Sequence, residues 1–324
     1  MKKFALGFVV LSLLFLAVAG HALAESYPAK PIVFIVPFTP GGSNDVLARL
    51  VAQKLSEKWG QPVVVENRVG GGGNIGAQFV TRCAPDGYTF LIAANTLITI
   101  NPSVYSPPPF DTFKDFEPVA VMGAVPTLLV VTPSLPAKSV KELAALIKAK
   151  PGGLTYGSAG VGAPQHMTAE LFSSAIGGSM VHVIYKGNAT IIPDLLSGQI
   201  QVLFSPINSI LPHVKSGGVR ALGIAGVKRS ASLPDVPTID EEGMRGIYGE
   251  SWISLVAPKG ISPVIVDKMN REITKILADP DVVSNLKMQG IEPMTMTPAE
   301  FAVLIRNDFD RWAKLVKALG LSIK

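Results

Sequence analysis

Two glycine-containing turns carry the residue types that could hold a small anion. The first turn and the aromatic residue before it comprise Phe38, Gly41, Gly42, Ser43 and Asn44. The second turn and the residues after it comprise Ser158, Gly160, Gly162, Ala163, Gln165 and His166. Neither turn contains Lys or Arg, so each would offer backbone N–H and hydroxyl donors in place of a formal charge. Such donors suit carboxylate as well as phosphate, which predicts reversible capture of an anion.

Each turn stands between a predicted strand and a predicted helix. Residues 31–36 are an apolar run typical of a buried strand, and apolar residues follow at helical spacing from Val46. Residues 154–156 and 167–176 repeat this order around the second turn. A helix start presents free N–H groups and the positive end of the helix dipole, which contributes roughly 0.3–1 kcal/mol when exposed and up to about 2 when partly buried.

Charged residues near the turns receive structural roles. Ser43, Asn44 and Asp45 are all good N-cap types. We assign Asp45 to capping the helix, because its carboxylate would repel an anionic ligand. Lys186 is the nearest candidate cation, and we interpret it as a solvated charge at the rim of the site.

Polar residues also follow two other predicted strands. Asn95 and Thr96 come after the strand at 88–94, and Ser205 comes after the strand at 200–204. Ligands of open α/β sheets lie beyond the carboxyl ends of the strands, so all three are candidate pocket residues. A cap between strand and loop explains Asn95 and Thr96 equally well.

Catalysis and metal binding find little support in the sequence. A periplasmic hydrolase would use Ser158 with His166, but Tyr156 stands where a Gly-x-Ser-x-Gly elbow needs glycine, and no orienting acid is evident. After the leader, His166, His182 and His213 remain, without the i,i+4 pair typical of zinc sites. We therefore predict neither an enzyme nor a metal site.

A glycine pattern at residues 71–76 resembles a dinucleotide fingerprint. Gly71, Gly73 and Gly76 have the required spacing, but the pattern also needs an acidic residue at the end of the next strand. Asp86 comes too early and lies in a predicted turn. We interpret the glycines as a turn that packs a helix close to the sheet, and we predict no cofactor.

The first residues of the 324-residue chain are typical of a signal peptide. Lys2 and Lys3 precede an apolar run at 4–20, and residues 22–24 fit cleavage after Ala24, so residues 1–24 are assigned to export into the periplasm. The only cysteine, Cys83, excludes an internal disulfide. The formal charge of +5 is scattered along the chain, without the basic stripe that nucleic acid requires, so we expect no nucleic-acid partner.

Alternating strands and helices predict an α/β fold in two lobes, each a mostly parallel sheet flanked by helices. We assign residues 25–122 and 251–324 to lobe 1 and residues 123–250 to lobe 2. The chain would cross between lobes at 119–132 and again near 251–257. The final amphipathic helix, predicted at 298–319, belongs to lobe 1 and could bridge the lobes.

A set of ordered motifs covers nearly all of the mature chain. They are YPAKP (27–31), IVPFTPGGS (35–43) with Asp45, PVVVENR (62–68), NIG (74–76), PDGY (85–88), QH (165–166), YKG (185–187), LPHVK (211–215) and LPDVPT (233–238). In these motifs and their spacing the chain closely resembles the periplasmic solute-binding proteins of the tripartite tricarboxylate transporters, the Bug family.

The resemblance implies a bilobed, Venus-flytrap receptor that is not an enzyme. Such a receptor closes on a small carboxylate and delivers it, as a monomer, to a two-subunit inner-membrane permease; a receptor for a membrane sensor kinase is the alternative. In the family both glycine turns hold ligand carboxyl groups. An acidic residue often stands where this chain has Ser205, and it can meet the amino group of an amino-acid ligand. The neutral Ser205 therefore favours a plain mono- or dicarboxylate.

Overall fold

The computed structural model describes residues 27–185 and 188–323, except for the side chains of residues 188 and 189. The predicted signal peptide and Lys186 lie outside the described residues. The described chain forms a six-stranded sheet and a five-stranded sheet, both flanked by helices. We call the parts built on these sheets the first lobe and the second lobe.

The described strands and helices alternate along most of the chain. The strands are β1 (Ile32–Val36), β2 (Val63–Asn67), β3 (Thr89–Ala94), β4 (Phe116–Val125), β5 (Thr127–Val131), β6 (Thr155–Ser158), β7 (Val181–Ile184), β8 (Val202–Pro206), β9 (Arg220–Ile224), β10 (Ser251–Pro258) and β11 (Glu292–Pro293). The α-helices are α1 (Ser43–Trp59), α2 (Asn74–Thr81), α3 (Asn95–Thr99), α4 (Asn101–Val104), α5 (Thr112–Asp115), α6 (Val140–Ala149), α7 (Pro164–Ile176), α8 (Asn188–Ser197), α9 (Ile207–Lys215), α10 (Pro263–Leu277), α11 (Pro280–Met288) and α12 (Pro298–Leu319). A short 3-10 turn spans Gly71–Gly73.

The sheet of the first lobe has the strand order β11-β4-β10-β3-β1-β2. Strand β1 pairs in parallel with β2 and β3, so it lies inside the sheet. Its sequence IVFIV is apolar throughout because both faces are covered. Leu47 and Val51 of α1 pack in the cluster on one face, and Ala77 and Val80 of α2 pack in the cluster on the other.

The sheet of the second lobe has the order β7-β6-β8-β5-β9. Strands β6 and β7 are parallel, and their register places Tyr156 opposite His182 and Ser158 opposite Ile184. A long stretch of chain separates these strands, so only the fold brings His182 next to the second turn. The register therefore fixes the position of His182 beside Tyr156 and Ser158.

The sheets are mixed, whereas the sequence analysis predicted mostly parallel ones. Strands β5 and β10 each follow a crossing between lobes, and both are antiparallel to their two neighbours. A strand that enters from the other lobe is not part of a βαβ unit, whose crossover enforces parallel pairing. The predicted boundary at residue 122 also falls inside β4, which continues in the first sheet to Val125.

Helix α12 lies against both lobes. It starts in a capping box in which Thr297 accepts from the N–H of Glu300, and the Glu300 side chain accepts from the N–H of Thr297. Near its other end, Trp312 joins a buried cluster with Val104 of the first lobe and Met167 of the second. In the described part of the chain, no helix has the length and apolar content needed to cross a membrane.

Candidate ligand-binding site

A cavity of about 250 Å³ lies between the two lobes, and we call it the interlobe cavity. Its wall from the first lobe consists of Phe38, Gly72, Thr96, Asn101, Val104, Tyr105 and Ile323. Its wall from the second lobe consists of Ala159, Gly160, Val161, Gly162, Ala163 and Pro164. None of these described residues carries a formal charge. The volume is near the lower end of the range for small-molecule sites, so a ligand held here is small.

The second turn is folded by hydrogen bonds within itself. Gly160 N–H donates to Ser158 Oγ (3.1 Å), Gly162 N–H donates to His166 Nδ1 (3.2 Å), and Ala163 N–H donates to Gly160 O (3.2 Å). Gly160 and Gly162 have φ values of 137° and 80°, which strongly favour glycine. The sequence predicts direct ligand contact for both glycines and Ser158. The structure uses their donors and acceptors to shape the turn.

Two amides of the same turn remain without an acceptor among the described residues: those of Ala159 and Val161. Both residues line the interlobe cavity. An N–H group without a protein acceptor can be satisfied by water or by a ligand acceptor. Sequence reasoning missed both residues, because neither side chain carries a polar group. The signal that could have found them is their position between the glycines.

A stack of three rings, from Tyr156, His182 and His166, lies beside the second turn and contacts it through Ser158. The His166 and His182 ring centroids are 4.3 Å apart, and those of His182 and Tyr156 are 4.9 Å apart. His182 Nε2 lies 2.5 Å from Ser158 Oγ, and Tyr156 Oη donates to Glu170 Oε1 (2.6 Å). The Ser158 side chain thus pairs with His182, whereas the hydrolase hypothesis paired it with His166.

Burial keeps both rings neutral at pH 7. Desolvation, reinforced by the neighbouring His166, lowers the pKa of His182 to about 4. Desolvation also lowers the pKa of His166, and burial with the bond to Glu170 raises that of Tyr156. Because Ser158 is fully buried, it offers no nucleophile to the cavity. The cluster therefore serves as a support for the turn.

The first turn begins helix α1, but its cap differs from the prediction. Gly42 is the N-cap, and none of the three predicted cap types occupies that position. Asp45 reaches back from the first helical turn: its Oδ2 accepts from Gly41 N–H (3.0 Å) and Arg49 Nε (2.9 Å), and its Oδ1 accepts from Asn67 Nδ2 (2.8 Å). The assignment of Asp45 to the helix start fits this geometry. The amide of Gly41 is consequently occupied.

The rest of the first turn faces a different cavity. Gly41, Gly42 and Ser43 line a space of about 350 Å³, which we call the Ser43 cavity. Its opposite wall includes Pro206, Asn208 and Ser209 of the second lobe. Asn208 Nδ2 donates to Ser43 Oγ (3.1 Å), a contact between the lobes. Both glycine turns were predicted to bind one ligand. Instead, the first turn lines the Ser43 cavity and the second turn lines the interlobe cavity.

The remaining candidates divide into cavity residues and buried structural residues. Phe38 and Thr96 line the interlobe cavity. Asn95 instead donates to Glu250 O (3.0 Å) and accepts from Ser251 Oγ (3.3 Å). These bonds connect α3 to the start of β10, where the chain returns to the first lobe. Gln165 and Ser205 are 5% and 2% exposed, and Ser205 lies within β8, which extends further than predicted. The Oδ1 atom of Asn44 is buried and has no hydrogen-bond partner among the residues that the structure describes.

The glycine pattern at 71–76 has a packing explanation. Asn101 Nδ2 donates to Gly72 O (3.2 Å) and Asn74 Oδ1 (2.7 Å), which holds this loop at the edge of the interlobe cavity. A Cβ on Gly76 would lie 2.8 Å from Pro37 Cβ and 3.0 Å from Arg68 O. The glycine therefore allows α2 to approach the sheet closely, as the sequence analysis interpreted it.

The sequence profile of the tripartite tricarboxylate transporter family receptor, TctC, matches residues 47–321. The chain belongs to this family. Its curated relatives include BugT of Bordetella pertussis, which is 37% identical over 96% of this chain and 97% of that protein.

Solved TctC-type structures also cover most of the chain. A protein of R. palustris solved with adipate is 35% identical, with a TM-score of 0.77 over 92% of this chain and all of that one. MatC of Rhodopseudomonas palustris, solved with malate, is 29% identical, with a TM-score of 0.74 over 90% of this chain and all of that one. The predicted two-lobed α/β fold of a periplasmic solute-binding protein is confirmed, and the TctC family is a family of receptors, not of enzymes.

Proposed function

We propose that this TctC-family protein captures a small mono- or dicarboxylate in the interlobe cavity and delivers it to a two-subunit membrane permease. Residues 1–24 would be removed on export, and the mature chain would act in the periplasm as a monomer. Binding would shift an equilibrium between open and closed lobes, and the permease would recognise the closed form.

The single observation that supports this proposal most is the pair of unused amides at Ala159 and Val161. Both residues line a cavity whose described residues are all neutral. A hydrogen bond to a charged acceptor contributes about 1.5–3 kcal/mol, so two such bonds to one carboxylate would contribute about 3–6 kcal/mol. Micromolar affinity corresponds to roughly 8 kcal/mol, which leaves a remainder for the hydroxyl of Thr96 and for apolar contact.

The charge of the residues that line the interlobe cavity indicates the chemical class of the ligand. No described residue of the cavity offers a carboxylate that could meet an ammonium group, and Ser205 is neutral and buried. An amino-acid ligand would bury its positive charge without a partner, which is costly. A plain carboxylate is therefore the ligand class that we propose, as in the relatives solved with adipate and malate.

A thermal-shift screen of carboxylic acids tests this proposal. A ligand present at about a hundred times its dissociation constant adds roughly 2.7 kcal/mol of stability, which raises the melting temperature of a chain this size by several degrees. Each acid is compared with its uncharged diamide or amide, such as adipate with adipamide. The proposal is wrong if no acid raises the melting temperature, or if acid and amide raise it equally.

A further inference from the structure

The segment after helix α12 forms part of the interlobe cavity. Helix α12 ends at Leu319 and is capped by Gly320, whose φ of 62° lets the chain reverse direction. Ile323 then makes a parallel β-bridge with Tyr105: Ile323 N–H donates to Val104 O (2.8 Å), and Ser106 N–H donates to Ile323 O (2.9 Å). Both backbone groups of Ile323 are thus fixed, and the residue lines the cavity.

A second set of contacts holds this segment against the body of the protein. Leu321 N–H donates to Val316 O (3.1 Å). Leu321 and Ile323 both pack against the buried cluster that contains Trp312 and Met167. Leu321 does not line the interlobe cavity, although it lies only two residues from Ile323. Both residues therefore anchor the segment, and of the two only Ile323 also lines the cavity.

Ile323 lines the cavity from the first lobe, together with Val104 and Tyr105. Ala159 and Val161, which carry the unused amides, line it from the second lobe. The lobes approach closely here, since a Cβ on Gly162 would lie 3.7 Å from Val104 Cγ1. A carboxylate bound to the amides would direct its remaining atoms into a space that these side chains limit.

We propose that Ile323, fixed by its bridge to Tyr105, sets the length of the acid that the cavity accepts. The inference rests on the proposed function, because it assumes that a carboxylate occupies this cavity. Each added methylene in a closed hydrophobic pocket changes discrimination by about 10–200-fold. Removing three carbons from Ile323 by Ile323→Ala should therefore change which chain length binds best.

The experiment measures affinity by calorimetry for two series, propanoate to octanoate and propanedioate to octanedioate. The proteins are the wild type, Ile323→Ala, Ile323→Phe and the control Leu321→Ala. We expect Ile323→Ala to gain about tenfold for acids one or two methylenes longer than the wild-type optimum. Ile323→Phe should move the optimum to shorter acids. Leu321→Ala should lower the melting temperature and leave the order of affinities unchanged.

The outcomes distinguish a failure of this inference from a failure of the proposed function. If the wild type binds acids of one series and neither Ile323 variant changes the preferred length, this inference is wrong and the proposed function stands. The same holds if Leu321→Ala shifts the preference as much as Ile323→Ala. If the wild type binds no acid of either series, the proposed function fails and the inference fails with it. Should Ile323→Ala not fold, Ile323→Phe still decides the matter, because its effect has the opposite sign.

Discussion

Nε2 of His182 lies 2.5 Å from Oγ of Ser158, and this contact joins the middle of strand β7 to the first residue of the second turn. The same serine accepts the N–H of Gly160 (3.1 Å). One buried hydroxyl therefore connects the ring stack to the backbone that lines the interlobe cavity. The ligand would not touch Ser158, yet the shape of its site depends on it.

The substitution Val161→Pro should reduce carboxylate affinity by tenfold or more. It removes one of the two amides assigned to the ligand, and a lost bond to a charged acceptor costs about 1.5–3 kcal/mol. Val161→Ala keeps the amide and removes only apolar contact, so it is the matched control. Calorimetry with the best acid from the screen measures both. Equal affinities in the two variants would show that the amide of Val161 does not bind the ligand.

The substitution Ser158→Ala should lower stability and weaken binding together. It leaves the partly buried N–H of Gly160 without its acceptor, which costs about 0.5–1.5 kcal/mol. The loosened turn then presents its amides less accurately. Urea unfolding and calorimetry provide the two measurements, with the exposed Ser179→Ala as control. Loss of binding with unchanged stability would instead indicate that Ser158 contacts the ligand directly.

Stability should fall as the pH is lowered from 6.5 towards 4. Burial lowers the pKa of folded His182 to about 4, while the unfolded residue keeps a pKa near 6.5. Between these values the unfolded state binds more protons, so acid favours unfolding by an amount on the order of 1 kcal/mol at pH 5. His166, Glu170 and Tyr156 are the titratable neighbours of this ring.

The comparison of wild type with His182→Gln isolates this effect. Urea unfolding at pH 7.5 and at pH 5 gives the change in stability for each protein. The wild type should lose more stability over this interval than the variant, because the variant lacks the imidazole at position 182, while His166 remains in both proteins. A larger loss in the variant would contradict the assigned sign.

The substitution Asp45→Ala should destabilise the protein by roughly 2–3 kcal/mol, because Gly41 N–H and Asn67 Nδ2 lose a buried acceptor. Burial alone would raise the pKa of Asp45, but the hydrogen bonds from Arg49, Gly41 and Asn67 lower that pKa below its ordinary value. Its stabilisation is therefore present above the ordinary carboxyl pKa and is lost in acid. Urea unfolding at pH 7 measures it. A large loss of affinity without loss of stability would contradict a structural role.

The pair Ser43→Ala and Asn208→Ala should show coupling in a double-mutant cycle. Asn208 Nδ2 donates to Ser43 Oγ across the lobes, so each single change removes the same bond. A neutral hydrogen bond contributes about 0.5–1.5 kcal/mol, and the double variant should cost little more than either single one. Affinity for the best acid is the measured quantity, since the bond favours this arrangement of the lobes. Additive losses would show that the residues act independently.

Local patterns predicted much of the fold. Both strand–turn–helix units formed where apolar spacing and turn residues indicated them. These features depend on residues within one or two turns of each other. The antiparallel pairing of β5 and β10 does not, because it follows from how the chain returns between lobes.

The candidate site was predictable only in outline. Sequence spacing identified the second turn, but His182 and Ile323 come from distant segments that reach it through strand register and a β-bridge. Which amides stay unused depends on which side chains accept the others. Ser158 and His166 consume two of them, and this leaves Ala159 and Val161. No pattern of polar residues marks a donor that belongs to the backbone of Ala or Val.

The neutral lining of the interlobe cavity has a consequence for how this receptor would meet its ligand. Without a cationic side chain among the described wall residues, an anion there would be attracted by backbone N–H groups and by the helix start at Pro164. Such partial charges act over a short range, so these wall residues would do little to attract anions from a distance. Affinity should therefore change less with ionic strength than in a site built on Lys or Arg side chains.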